Sequence, residues 1–180
     1  MTTTFYRRDR SQQPLPLSPG YKSTVLRAPV RPLHALEQTV LEQTGPALGH
    51  TPLGPLDHDL IRNAATTGDA LGERIYVFGR VLDENARPVP NALIEVWQAN
   101  AAGRYAHVRD GYLAPLDPNF SGCGRCLSDA EGRYLFRTIK PGPYPWPNNG
   151  SDWRPAHIHL SVFGEAFSQR LITQLYFEGD

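Results

Sequence analysis

Only two cysteines occur in 180 residues, too few for the disulfide framework of a small secreted domain. An excess of either charge is lacking too. Lys plus Arg total 18 and Asp plus Glu total 18, so no net field draws the chain to nucleic acid or to an anionic membrane. The expected partner is a small molecule or another protein. No apolar run approaches the length of a membrane span, which removes the membrane as a partner. The Arg7-Arg8 pair is not followed by the hydrophobic stretch that an export signal needs, so the chain is expected to be cytoplasmic. Repeats and low-complexity tracts are absent.

Turn formers are abundant instead. With 17 prolines, 16 glycines and a good supply of aromatic and aliphatic residues, the composition fits a loop-rich fold of short strands and not disorder. The length suits one core. Residues 1–72 are expected to form an N-terminal arm and helical segment, the arm because its first thirty-two residues hold five prolines and little periodicity. Such an arm is suited to reach a partner subunit. The spacing predicts one helix over 32–45, with Leu33, Leu36, Val40 and Leu41 on one face, and a short one over 57–68 capped by Asp57. From residue 73 the texture becomes β-branched and aromatic. The runs 73–83 and 91–100 read as two strands of a sheet, and further runs lie on either side of the turn at Asp129, Glu131 and Gly132, over 157–164 and over 170–179. The expected fold is mostly β, an antiparallel β-sandwich over 73–180 with an N-terminal arm and short helices.

His157 and His159 stand two apart on an expected strand and so point to the same side, where both imidazoles can reach one metal ion. By itself this pair also fits satisfied histidines or a zinc hydrolase, the latter needing a third His, Cys or carboxylate. Tyr144 is flanked by Pro143 and Pro145 and is expected in a rigid non-sheet loop, and Tyr105 in a loop after the strand ending at Gln98. Alone, each tyrosine fits a packing aromatic as well as a ligand. Cys123 and Cys126 form Cys-Gly-Arg-Cys, a redox motif if it opened a helix in a thioredoxin-like unit; with a strand following, they read as reduced loop cysteines.

The blocks 103–125, 136–159 and 171–180, together with PGYKSTVLR, GERIYVFGRVLD and VPNALIEVWQAN upstream, closely resemble the intradiol ring-cleavage dioxygenases, in particular the β chains of those acting on protocatechuate. The resemblance implies a non-haem Fe(III) held by Tyr105, Tyr144, His157 and His159, with Tyr144 the ligand that yields to substrate. It implies Arg154 as a catalytic residue, Gln174 as a residue shaping the oxygen pocket, and Tyr21, Arg27, Trp97 and Trp146 as substrate-binding residues. Protocatechuate and O2 are the implied reactants, a muconate the implied product, and an α chain of a hetero-oligomer the implied partner. Hard phenolate oxygens suit the ferric ion, which lowers the pKa of a bound phenol as a metal lowers that of bound water. Catechol or hydroxyquinol cleavage shares this ligand set, and a transthyretin-like binding module could share the hairpin over 79–96 but has no need of the histidine and tyrosine pairs. Because the family's β chains continue for several strands beyond the equivalent of Asp180, the sequence is expected to be truncated at its C-terminal end.

Overall fold

In the computed structural model, residues 20, 28, 31, 52–146, 152–164 and 170–179 are described. Eight strands follow one another: β1 Arg74–Arg80, β2 Leu93–Gln98, β3 Cys123–Leu127, β4 Arg133–Ile139, β5 Tyr144–Trp146, β6 Asp152–Arg154, β7 His157–Phe163 and β8 Arg170–Tyr176. All ladders between them are antiparallel, and they form three sheets: a four-stranded one in the order β3-β2-β7-β8, the pair β1-β4, and the ribbon β5-β6.

The strands expected as neighbours over 73–83 and 91–100 do not pair. β1 pairs with β4 and β2 with β3 and β7, so the turn after β1 and the turn after β3 both cross from one layer to the other. These crossings run side by side: Val81 N donates to Gly132 O at 2.8 Å and Asn91 N to Ser128 O at 3.0 Å. Backbone groups leaving one sheet are thereby satisfied before they enter the next.

Period-two alternation explains what each face does. On β2 and β7, Ile94, Val96, Ile158 and Leu160 point to one side, where they meet Phe136 and Ile139 of β4 in the buried core. The opposite side of the same sheet carries Trp97, His157, His159, Gln174 and Tyr176, set by the pairs Trp97↔His159, His159↔Gln174 and His157↔Tyr176. One layer thus anchors the core with one face and builds polar chemistry on the other.

Residues 57–68 are not the expected helix but consecutive turns. Their backbone groups bond elsewhere: Leu60 N donates to Arg137 O at 2.8 Å, Arg137 N to His58 O at 3.0 Å, Ile61 N to the Asp59 carboxylate at 3.1 Å, and Thr66 N and Thr67 N to Asn119 Oδ1 at 3.0 Å. A twelve-residue helix is marginal alone, and a strand edge with two acceptor side chains outcompetes it. Tyr144 lies not in a non-sheet loop but on β5, because its backbone pairs with Arg154 in a two-stranded ribbon whose edge tolerates Pro145. Cys123 and Cys126 are likewise on β3, both free thiols. Three residues apart on a strand, they face opposite sides, and burial raises both pKa values, that of Cys126 to about 11, which is the reverse of an activated redox pair. The segment 32–45, Tyr21 and Arg27 lie outside the described residues. Among those described, no helix is long and apolar enough to cross a membrane.

Candidate metal centre

The two histidines occupy β7, an interior strand, and His157 is almost fully buried. Its Nδ1 lies 2.7 Å from the Pro155 carbonyl, which can only accept, so Nδ1 carries the proton and Nε2 presents a lone pair. That Nε2 is 3.2 Å from His159 Nε2 and 3.2 Å from the Tyr144 hydroxyl. His159 is held from its other side by Trp97, whose ring stacks on it at 4.8 Å with the planes 3° apart. Trp97 can do this because it sits directly opposite His159 across the ladder.

Tyr105 completes the cluster, its ring 5.4 Å from that of Tyr144 in an edge-on arrangement and 6.4 Å from that of His159. It arrives on a tightly pinned loop. Asn100 Oδ1 accepts from Ala102 N and Arg104 N, and the Asp110 carboxylate accepts from Tyr105 N at 2.8 Å. Gly103 adopts φ +79, and a Cβ there would stand 2.1 Å from the Pro143 carbonyl oxygen. Only glycine lets the Tyr105 loop come this close to the Tyr144 strand. Gly103 and Asp110 were not singled out in the sequence; the Gly-Arg-Tyr step after a strand and the Asp-Gly-Tyr turn are the signals that point to them.

Electrostatics inside the cluster are unusual. Burial pushes the Tyr105 phenol far above its ordinary range, with the neighbouring Tyr144 adding to the effect, and burial raises Tyr144 as well. Burial also lowers the pKa of both histidines; for His159, with His157 and Arg154 adding repulsion, it falls to about 4. The buried Tyr105 hydroxyl has no hydrogen-bond partner. An orphaned phenol beside two neutral imidazoles is costly unless a cation takes their lone pairs. The separation fits one: two nitrogens each about 2.1 Å from an ion and roughly 100° apart lie about 3.2 Å from each other. Among the described residues no group of three His, Cys, Asp or Glu could hold a metal, so a zinc hydrolase set is not found there.

Beside the cluster opens a cavity of about 980 Å³ whose walls include Trp97, Tyr105, Tyr144, Trp146, Arg154 and His159. The Trp146 indole N–H is buried there without a partner. Arg154 sits on β6, directly opposite Tyr144, and its guanidinium donates to Gln174 Oε1 and, at 2.8 Å, to the Tyr176 hydroxyl. Of the ten candidate residues, eight are therefore gathered at one place and two lie outside the described residues. Tyr176 was missed, although it stands two residues from Gln174 on the same face of β8.

Comparison with known proteins identifies relatives over most of the chain. Residues 43–180 match a family described as Dioxygenase, and residues 6–39 one described as Protocatechuate 3,4-dioxygenase beta subunit N terminal. The chain is 58% identical over 173 residues to the protocatechuate 3,4-dioxygenase beta chain of Burkholderia cepacia, covering 96% of this chain and 74% of that one. It is 37% identical to a hydroxyquinol 1,2-dioxygenase of Rhizobium over 60% of this chain and 39% of the relative. Among solved structures, 3-chlorocatechol 1,2-dioxygenase from Rhodococcus opacus superposes with a TM-score of 0.56 at 31% identity, covering 75% of this chain and 55% of that one. This chain therefore belongs to the intradiol ring-cleavage dioxygenase family.

Proposed function

We propose that this chain is the iron-bearing subunit of an enzyme that cleaves protocatechuate with O2 between its two hydroxyl-bearing carbons, giving 3-carboxy-cis,cis-muconate in the catabolism of aromatic compounds. The observation that carries the proposal is the convergence of the His157 and His159 Nε2 atoms with the Tyr144 hydroxyl, alongside the orphaned Tyr105 hydroxyl, beside a cavity with room for an aromatic substrate. Tyr105, Tyr144, His157 and His159 would hold a non-haem Fe(III). When bound, that ion supplies a Lewis acid that takes up a deprotonated catechol and makes its ring reactive toward O2.

The residues of the chain supply the rest. The Pro155 carbonyl fixes the tautomer of His157, and Trp97 fixes the ring plane of His159, so both imidazoles meet the ion in a set orientation. Tyr144, whose hydroxyl lies against His157 Nε2, would be the ligand that yields when substrate arrives, its phenolate taking a proton from a catechol hydroxyl as it does so. Tyr105, with its backbone clamped by Asp110, stays. Trp97 and Trp146 form aromatic walls for the ring, and Arg154 offers positive charge where negative charge grows during attack by O2. Gln174 accepts from the Arg154 guanidinium and would shape the space for oxygen.

Protocatechuate is favoured over catechol or hydroxyquinol by the match of residues 6–39 to the protocatechuate 3,4-dioxygenase beta-subunit N-terminal family. The same match supports an α chain as partner, with Tyr21 and Arg27 of the N-terminal segment contributing to substrate binding. A neutral net charge and two free, unactivated thiols fit a reducing, cytoplasmic setting. The test is metal analysis and product identification on the purified assembly: stoichiometric iron and a muconate product are expected, and stoichiometric zinc in active material would refute the proposal.

A further inference from the structure

We infer that Tyr176 is a positioning residue for Arg154, aiming its guanidinium at the cavity; the inference rests on the reading of Arg154 as a catalytic group. Tyr176 ends β8, directly opposite His157 across the ladder, and Gln174 is directly opposite His159. Period-two alternation puts all four side chains on the face of the sheet that bears the candidate metal centre.

There they close a triangle. One guanidinium nitrogen, Nη2 of Arg154, donates to both Gln174 Oε1 and the Tyr176 hydroxyl, and that hydroxyl in turn donates to Gln174 Oε1. Each corner uses a complementary role: arginine can only donate, the amide oxygen can only accept, and the phenol does one of each. Without Tyr176, Gln174 alone would hold the guanidinium, leaving it free to pivot about that single contact. With it, two acceptors on one rigid strand fix both its direction and its distance. The Tyr176 ring lies 5.7 Å from that of His157, so the post is itself braced against the centre it serves. No salt bridge competes, since no carboxylate pairs with Arg154 among the described residues.

Tyr176→Phe removes only the hydroxyl and keeps the ring against His157. In the iron-loaded assembly this variant is expected to lose about tenfold or more in kcat while KM and iron content stay near wild type, because a misaimed group costs the transition state more than binding. In an Arg154→Ala background the same change should cost nothing further, which a merely structural role would not produce. A crystal structure of Tyr176→Phe is expected to show the guanidinium displaced or in two positions, a readout independent of turnover. Unchanged kcat with an unmoved guanidinium, equal losses in both backgrounds, or loss of iron in Tyr176→Phe would each overturn the inference. Absence of iron or of ring cleavage in the wild type would instead overturn the proposed function, with the crystallographic readout still standing.

Discussion

His157 and His159 are suited to the proposed ligand role because burial favours their neutral form. A buried imidazole whose folded pKa is depressed to about 4, as for His159, binds its proton later on acidification than the same residue in the unfolded chain near 6.5. The folded state then holds fewer protons than the unfolded one throughout that window. Iron-free protein should accordingly be most stable above pH 6.5 and lose stability as pH falls toward 4, and His159→Gln should flatten that dependence; urea unfolding at several pH values measures both. With metal present, alanine at either position should abolish iron retention, read by metal analysis, since one missing nitrogen leaves the shell incomplete. Arg154→Ala should behave differently. Its iron content should stay normal while kcat falls by about two powers of ten with little change in KM, on the scale of a lost transition-state donor. Turnover per iron unaffected by this change would return Arg154 to a structural role.

Elements decide whether these side chains meet at all. Tyr105 and Tyr144 are 39 residues apart in sequence and come together because Gly103 lets one loop press on the Pro143 carbonyl. Gly103→Ala places a methyl group 2.1 Å from that oxygen and demands a positive φ of a residue that resists it. The expected result is weakened iron binding and a loss of about 2 kcal/mol or more in stability, though no ligand has been touched; wild-type iron affinity in this variant would show that the loop has room to spare. The same elements show what sequence can and cannot disclose. The His157-x-His159 spacing was legible because a strand's period alone puts both on one face. The ribbon carrying Tyr144 was not, because its pairing with Arg154 joins residues ten apart and Tyr144 stands between Pro143 and Pro145, where local pattern argues against a strand. The helix expected over 57–68 failed for a related reason: its donors found acceptors on β4 and Asn119, distant in sequence. The separation of β1 from β2 into different layers was equally hidden, since a turn does not reveal whether its chain returns to the same sheet.

At the scale of the whole molecule, a sandwich layer has been given two jobs. One side of β2 and β7 contributes Ile94, Val96, Ile158 and Leu160 to the core, and the side turned away from it bears the candidate centre and its supporting triangle. The rigidity that packing confers on the first side is thereby lent to the second, which is what the proposed four-donor site would require. In the proposed reaction a ferric ion held there would activate the ring and not the oxygen, which would leave a signature in the product. The most direct measurement is the fate of 18O2 during turnover of protocatechuate by the iron-loaded assembly, with solvent exchange controlled. The expected product is 3-carboxy-cis,cis-muconate with one labelled oxygen in each newly formed carboxyl group; a semialdehyde from cleavage beside the hydroxyl pair, or a product without label, would contradict it.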